Sequence, residues 1–227
     1  RGKNQTYCFD AVDYEAFLRE RELLEQLRKS VADGFRGFEL FFQPIVRVGQ
    51  DVPFMAESLL RFKTTDGEMV SPVEFIPILE ESGLIIPVGK WLIDRALSMC
   101  AECQKTQPEF HISVNLSYVQ ILKSDVCEEI EHWIEFYNLK PESLMVELTE
   151  SGYVDDNSPA VKRLWDRLRE YGVMIALDDF GTGYSNFQLI SSMVPNIVKL
   201  DRSFTVKALQ NIFEHQLMDH IIQLVHS

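Results

Sequence analysis

From Phe38 onward the chain alternates short apolar runs with amphipathic stretches, and each run carries a polar residue within an apolar context. The runs are FELFFQPIV, FMAESLLRF, HISVNLS, LMVELTES, VMIALDDFG and NIVKLDRS, each of strand length. Between the third and the sixth stand helical stretches such as SDVCEEIEHWIEFYN and SPAVKRLWDRLREYG. Strand–helix alternation of this kind predicts a parallel sheet with its helices outside. About seven residues separate Val46 from Phe54, too few for a parallel crossover, so the first two strands are expected to pair antiparallel. The fold class that follows is α/β, a (β/α)8-type TIM barrel with an antiparallel first strand. Eight-stranded closure needs about two more strand–helix units than the sequence holds, so the chain is expected to stop before the last strands.

Two flanking segments differ from this pattern. Between Asp10 and Gly34, Tyr14, Phe17, Leu18, Leu24, Leu27 and Val31 recur at helical spacing, which predicts one amphipathic helix ending at the glycine. Before it, GKNQTYCF reads as a lone strand without a partner of its own, the expected tail of an upstream domain. Residues 1–10, 11–37 and 38–227 are thus expected to be that tail, a linker helix and the barrel domain. At the far end, Val206, Leu209, Phe213, Leu217, Ile221 and Leu224 fall on one face of a single expected helix that neither Gly nor Pro terminates.

Charge and cysteine usage narrow the function. Twenty-two Lys+Arg against 35 Asp+Glu give a net charge of −13, the wrong sign for a surface that neutralises nucleic-acid phosphates, so no DNA or RNA partner is expected. No run approaches eighteen apolar residues and no signal-peptide core is present, so the expected location is cytoplasmic. Cys8, Cys100, Cys103 and Cys127 are expected as reduced thiols. Cys100 and Cys103 form a C-x-x-C inside a helical stretch with no second pair to complete a metal site, so they are expected to pack rather than to ligate.

Strand side chains alternate between two faces, which locates the polar members of each run. Met55, Glu57, Leu59 and Arg61 share one face, and so do Ile197, Lys199 and Asp201. Gln43 sits late in the first run, Asn115 late in the third, Glu147 inside the fourth, and Asp178 with Asp179 at the end of the fifth. A charge inside a barrel costs several kcal/mol unless it is paired or binds a metal. Taken singly, each has a structural explanation: Glu57 paired with Arg61, Lys199 with Asp201, Asn115 bonded to nearby backbone. Taken together, a ring of Glu, Asn, Glu, Asp and Asp is an oxygen set suited to Mg²⁺ or Mn²⁺, at the strand ends where parallel barrels place chemistry. Adjacent Asp178 and Asp179 can serve one site only if strand geometry breaks there, and Phe180-Gly181-Thr182-Gly183 is the expected break. Glu150, off the Glu147 face, is positioned to tether that loop.

The motifs Glu57-Ser58-Leu59-Leu60-Arg61, Val114-Asn115-Leu116-Ser117, Glu147-Leu148-Thr149-Glu150, LDDFGTGYSN and Val198-Lys199-Leu200-Asp201, with the segment FIPILEESGLI, resemble in order and spacing those of the EAL-domain cyclic di-GMP phosphodiesterases. The resemblance covers about Phe38 to Ser227, and the first residues are similar to the end of a GGDEF diguanylate-cyclase-type domain. It implies a barrel that hydrolyses one bond of cyclic di-GMP to linear pGpG with two Mg²⁺ or Mn²⁺ ions. By motif it implies Glu57, Asn115, Glu147, Asp178 and Asp179 as metal ligands, Lys199 as the group orienting the attacking water, and Glu150 as the loop tether. Gln43, Arg61 and Asp201 are the implied substrate contacts. Divalent cations between protein and dinucleotide also answer the objection from net charge. Ser58 replaces the signature's alanine on the face opposite Glu57, and the family's later glutamate and glutamine-glycine motifs would lie beyond Ser227. The alternative is a non-catalytic cyclic di-GMP receptor signalling through the linker helix. An upstream GGDEF-type domain in the same chain and a homodimer are the further expected partners.

Overall fold

The computed structural model describes residues 11–149, 159–181 and 194–226. The strands are β1 (Phe38–Val46), β2 (Pro53–Lys63), β3 (Met69–Val70), β4 (His111–Asn115), β5 (Leu144–Thr149), β6 (Met174–Phe180) and β7 (Ile197–Leu200). They form one sheet in the order β1-β2-β4-β5-β6-β7, with β3 beside β2. The β1–β2 pair is antiparallel and every later pair on that path is parallel, as the short first connection and the helical later ones require. Among the described residues no pairing joins β1 to β7, so the sheet curves as an open barrel. The helices are α1 (Ala11–Ala32), α2 (Pro72–Ser82), α3 (Ile85–Gln104), α4 (Tyr118–Lys123), α5 (Val126–Phe136), α6 (Pro159–Tyr171), α7 (Arg202–Gln210) and α8 (Ile212–Val225). No helix of the described residues is long and apolar enough to cross a membrane.

Alternation divides the sheet into two faces with different jobs. The outer residues, among them Ala56, Leu60, Ile112, Val114, Val146 and Ile175, join Phe75, Leu79, Ile93, Leu97, Ile130 and Trp165 of the helices in one continuous core. On the inner face, Met55, Met145 and Ala176 make a separate buried cluster, with Ile45, Phe54, Met174 and Ile197 packed against it. This second cluster is an apolar floor. The polar positions lie one step further along the strands, so their side chains stand on it at the C-terminal rim.

Cys100 and Cys103 lie on α3, as helical spacing requires. Cys100 is buried with its sulfur 3.6 Å from the Phe110 carbonyl oxygen, and burial pushes its thiol up to about 12. Such a thiol packs and does not react at neutral pH.

The flanking helices depart from expectation in instructive ways. The second half of α1 is part of the main core through Leu23 and Leu27, whereas Tyr14, Phe17 and Leu18 in its first half are exposed. Arg19 clamps the helix near that boundary, with Nε 2.8 Å from Glu74 on α2 and Nη2 2.7 Å from Glu68 beside β3. The single C-terminal helix is instead two. Asn211 adopts extended backbone, and its Oδ1 accepts a bond from the Phe213 amide at 2.9 Å, capping α8. Of the six residues assigned to one apolar face there, only Ile221 is buried. The short β3 has no counterpart in the six expected strands, and the lone strand over GKNQTYCF lies outside the described residues, as does Cys8.

One close approach ties the rim to the helical layer. Ser117 caps α4: its Oγ accepts from the Val119 amide, and its own amide donates to Gln120 Oε1 at 3.2 Å. The Gln120 carboxamide is buried directly over Gly89 of α3, where an added Cβ would lie 1.9 Å from Nε2. A methyl group at 89 would therefore have to displace the Gln120 carboxamide. Gly89→Ala is expected to displace Gln120 and destabilise the fold by about 1–3 kcal/mol. Urea denaturation of the variant checks this, and an unchanged midpoint would mean that the amide moves aside without cost.

Candidate active site

Three strands deliver three carboxylates to one place. Glu57 comes from β2, Glu147 from β5 and Asp178 from β6, and one ligand oxygen from each lies within 4.8 Å of the others. Lys199 of β7 reaches into the same point, its Nζ 3.2 Å from Glu57 Oε2, 2.5 Å from Glu147 Oε2 and 3.1 Å from Asp178 Oδ2. Asn115 at the end of β4 donates its amide to Glu57 Oε1 at 3.1 Å. The local pairs of the structural explanation do not form among the described residues. Arg61 donates to the Leu60 carbonyl at 2.9 Å and lies over the Phe41 ring, while Lys199 turns to the carboxylates instead of Asp201.

Burial and charge set the electrostatics. Burial lowers the affinity of Lys199 for its proton, but the bond to Glu147 and the three nearby carboxylates more than reverse this and hold its pKa well above the ordinary lysine range. Lys199 is thus a fixed positive charge. Glu147 is almost fully buried, and that burial pushes its pKa up against the opposing pull of Lys199. Its Oε1 and the Ser113 hydroxyl are both buried without a well-aligned hydrogen bond among the described residues, although the hydroxyl lies near enough to draw the carboxyl pKa down against the effect of burial. Three carboxylates face one ammonium, which leaves an acidic pocket. These features fit a hard divalent cation, which seeks carboxylate and amide oxygens.

The remaining candidates sit around this centre. Asp179 has φ of 56° and its amide donates to Asp178 Oδ1 at 2.9 Å, with a register slip between β6 and β7 over Leu177 to Phe180. The break in strand geometry falls on Asp179 itself as well as on Gly181, whose φ is 100°, so the aspartate supplies part of the turn that the glycines were expected to make. Burial, then the proximity of Asp178 and Asp201, raises the pKa of Asp179. Asp201 caps α7 by accepting the Ser203 amide at 2.8 Å, and the Ser203 hydroxyl, then that amide bond, lowers its pKa. Gln43 stands directly across the β1–β2 ladder from Glu57, exposed on the same face. Arg61 and Asn115 line one cavity of about 530 Å³ together with Glu80, Ser117, Tyr118 and Thr149. Glu150 lies outside the described residues, as do Thr182 and Gly183. Sequence reasoning passed over Ser113, although its alternation with Asn115 in HISVN already places both on one face.

An open, mostly parallel α/β barrel with a cluster of carboxylates at the C-terminal ends of its strands defines the class. The EAL domain model matches residues 24–227, and the chain belongs to the EAL domain family. The bifunctional diguanylate cyclase/cyclic di-GMP phosphodiesterase MucR of Pseudomonas aeruginosa is 31% identical over 206 residues, covering 90% of this chain and 30% of its own length. Cyclic di-GMP phosphodiesterase PdeF of Escherichia coli (strain K12) is 31% identical over 187 residues, 82% of this chain and 25% of PdeF. The solved structure of the EAL enzyme Bd1971 with cAMP and cyclic di-GMP bound is similar at a TM-score of 0.82 and 31% identity, covering 93% of this chain and 57% of that one. The chain spans less than a third of the length of either curated relative.

Removing the central ammonium tests this description of the site. Lys199→Met leaves Glu57, Glu147 and Asp178 without a countercharge, and in chelator at neutral pH it is expected to cost about 3 kcal/mol. The folded-state pKa of Glu147 is raised, so this carboxyl group favours the folded state more as pH falls, and the penalty should shrink on acidification as it protonates. Melting curves of both proteins across pH check the sign, and a penalty that grows toward acid pH would contradict it.

Proposed function

We propose that this chain is the catalytic barrel of a cyclic di-GMP phosphodiesterase, which cleaves one phosphodiester bond of the cyclic dinucleotide to give linear pGpG. The observation that carries the reading is the convergence of Glu57, Glu147 and Asp178 from three strands on one point. The names of MucR and PdeF and the cyclic di-GMP bound to the EAL enzyme Bd1971 support the substrate.

Glu57, Glu147 and Asp178 would hold the metal, with the carbonyl oxygen of Asn115 and the carboxylate of Asp179 completing a set for two Mg²⁺ or Mn²⁺ ions. Bound there, such ions supply Lewis acidity toward the phosphoryl oxygens and a water of lowered pKa. Lys199, held protonated, is a donor and not a base: it orients the attacking water and offsets charge gathering on the phosphoryl group. The water oxygen bonds to phosphorus as the P–O3′ bond breaks, and the leaving 3′ oxygen takes a proton to become a hydroxyl. Arg61 binds a phosphate at the cavity it shares with Asn115. Gln43 and Asp201 contact the substrate from opposite ends of the rim, and Glu150 tethers the loop after β6. An upstream GGDEF-type domain, for which the bifunctional name of MucR is the support, and a homodimer complete the proposal.

Full-length protein with Mg²⁺ or Mn²⁺ is expected to convert cyclic di-GMP to pGpG, and chelator should abolish this. Glu57→Ala should lower the rate by at least about 100-fold while cyclic di-GMP binding persists. Chromatography of the products alongside calorimetric binding decides the matter. Binding without any hydrolysis by the metal-loaded wild type would favour the receptor alternative.

A further inference from the structure

Asn115 reaches Glu57 from the last residue of β4, so the orientation of its amide depends on how the chain leaves that strand. Three bonds fix this exit. The Leu116 amide donates to the Glu147 carbonyl oxygen at 3.1 Å, the Ser117 amide to Gln120 Oε1 at 3.2 Å, and the Ser117 hydroxyl to Glu80 Oε1 at 2.6 Å. The first ties the turn to the neighbouring strand and the second to the following helix. The third spans 37 residues and anchors the turn to α2. A carboxylate is also an odd lining for a cavity proposed to take phosphates, unless it is spent on a bond elsewhere; here the Ser117 hydroxyl takes it.

We infer that Glu80 is a positioning residue: through Ser117 it sets the exit of β4, and thereby the Asn115 amide, for cation binding at the Glu57 cluster. Ser117 gives its only hydroxyl proton to Glu80 while its oxygen accepts the Val119 amide, so loss of the carboxylate frees the hydroxyl to rotate and the turn to shift. Partners hydrogen-bonded to a metal ligand commonly change metal affinity by about 10–100-fold, and Glu80 acts one link further out, through the turn that carries Asn115. The inference rests on the metal-site reading given above, and its test separates the two.

Mn²⁺ binding to the full-length protein is measured by isothermal titration calorimetry for wild type, Glu80→Met, Glu80→Gln, Asn115→Ala and the Glu80→Met/Asn115→Ala double variant. Methionine fills the glutamate's volume and suits a helix but offers no comparable acceptor, whereas glutamine keeps an oxygen for Ser117. Glu80→Met is expected to weaken Mn²⁺ binding about tenfold. Glu80→Gln should stay within about twofold, and Glu80→Met should add nothing in the Asn115→Ala background. An unchanged affinity in Glu80→Met, equal losses for Met and Gln, or an undiminished effect without Asn115 overturns the inference while the metal site stands. Wild-type protein that binds no Mn²⁺ overturns both. Should Glu80→Met fail to fold, the same comparison is made with Glu80→Ala, under the same criteria.

Discussion

A single ammonium holds the inner face of this barrel together. Lys199 sits on β7, and its three partners sit on β2, β5 and β6, so one side chain links both halves of an open sheet across its interior. Glu147 is the costly member, because a carboxylate so deeply buried is tolerable only with a countercharge. Three acids against one base nonetheless leaves the cluster short of positive charge. That shortfall is what suits the cluster to a hard cation.

The apolar floor beneath the cluster matters as much as the charges. Met55, Met145, Ala176 and Ile197 occupy the inner positions one step earlier on the same strands that carry Glu57, Glu147, Asp178 and Lys199, with Met174 a further step back. They place an apolar layer directly beneath the acids. Electrostatic interactions gain strength in such surroundings. Methionine's flexible thioether suits this place, filling an irregular space where strands splay.

Sequence periodicity made the polar face of each strand readable residue by residue, because alternation is fixed by the pleat. Which of those residues meet was a different matter. On the ladders Glu57 is level with Ser113, Glu147 with Asn115 and Ala176, and Asp178 with Thr149, so the three acids occupy different rows. Barrel shear brings them together, and shear is a property of the whole sheet that no single strand encodes. The motif resemblance supplied what periodicity lacked. The split between α7 and α8 was legible in principle: Asn211 with Glu214 three residues on is a helix-start signal, overlooked because the apolar spacing runs through it. The Asp179 turn was masked in another way, since the glycines after it drew the expected break a residue or two late, while an aspartate with its amide tied to Asp178 tolerates left-handed backbone.

The helix ahead of the barrel is joined to it by two unlike fastenings. Leu23 and Leu27 seat one end in oil, and a contact of that sort is indifferent to dissolved salt. Arg19 fastens the other end by ion pairs open to solvent, which fade as counterions accumulate. Raising ionic strength therefore weakens the forward joint and leaves the rear one in place.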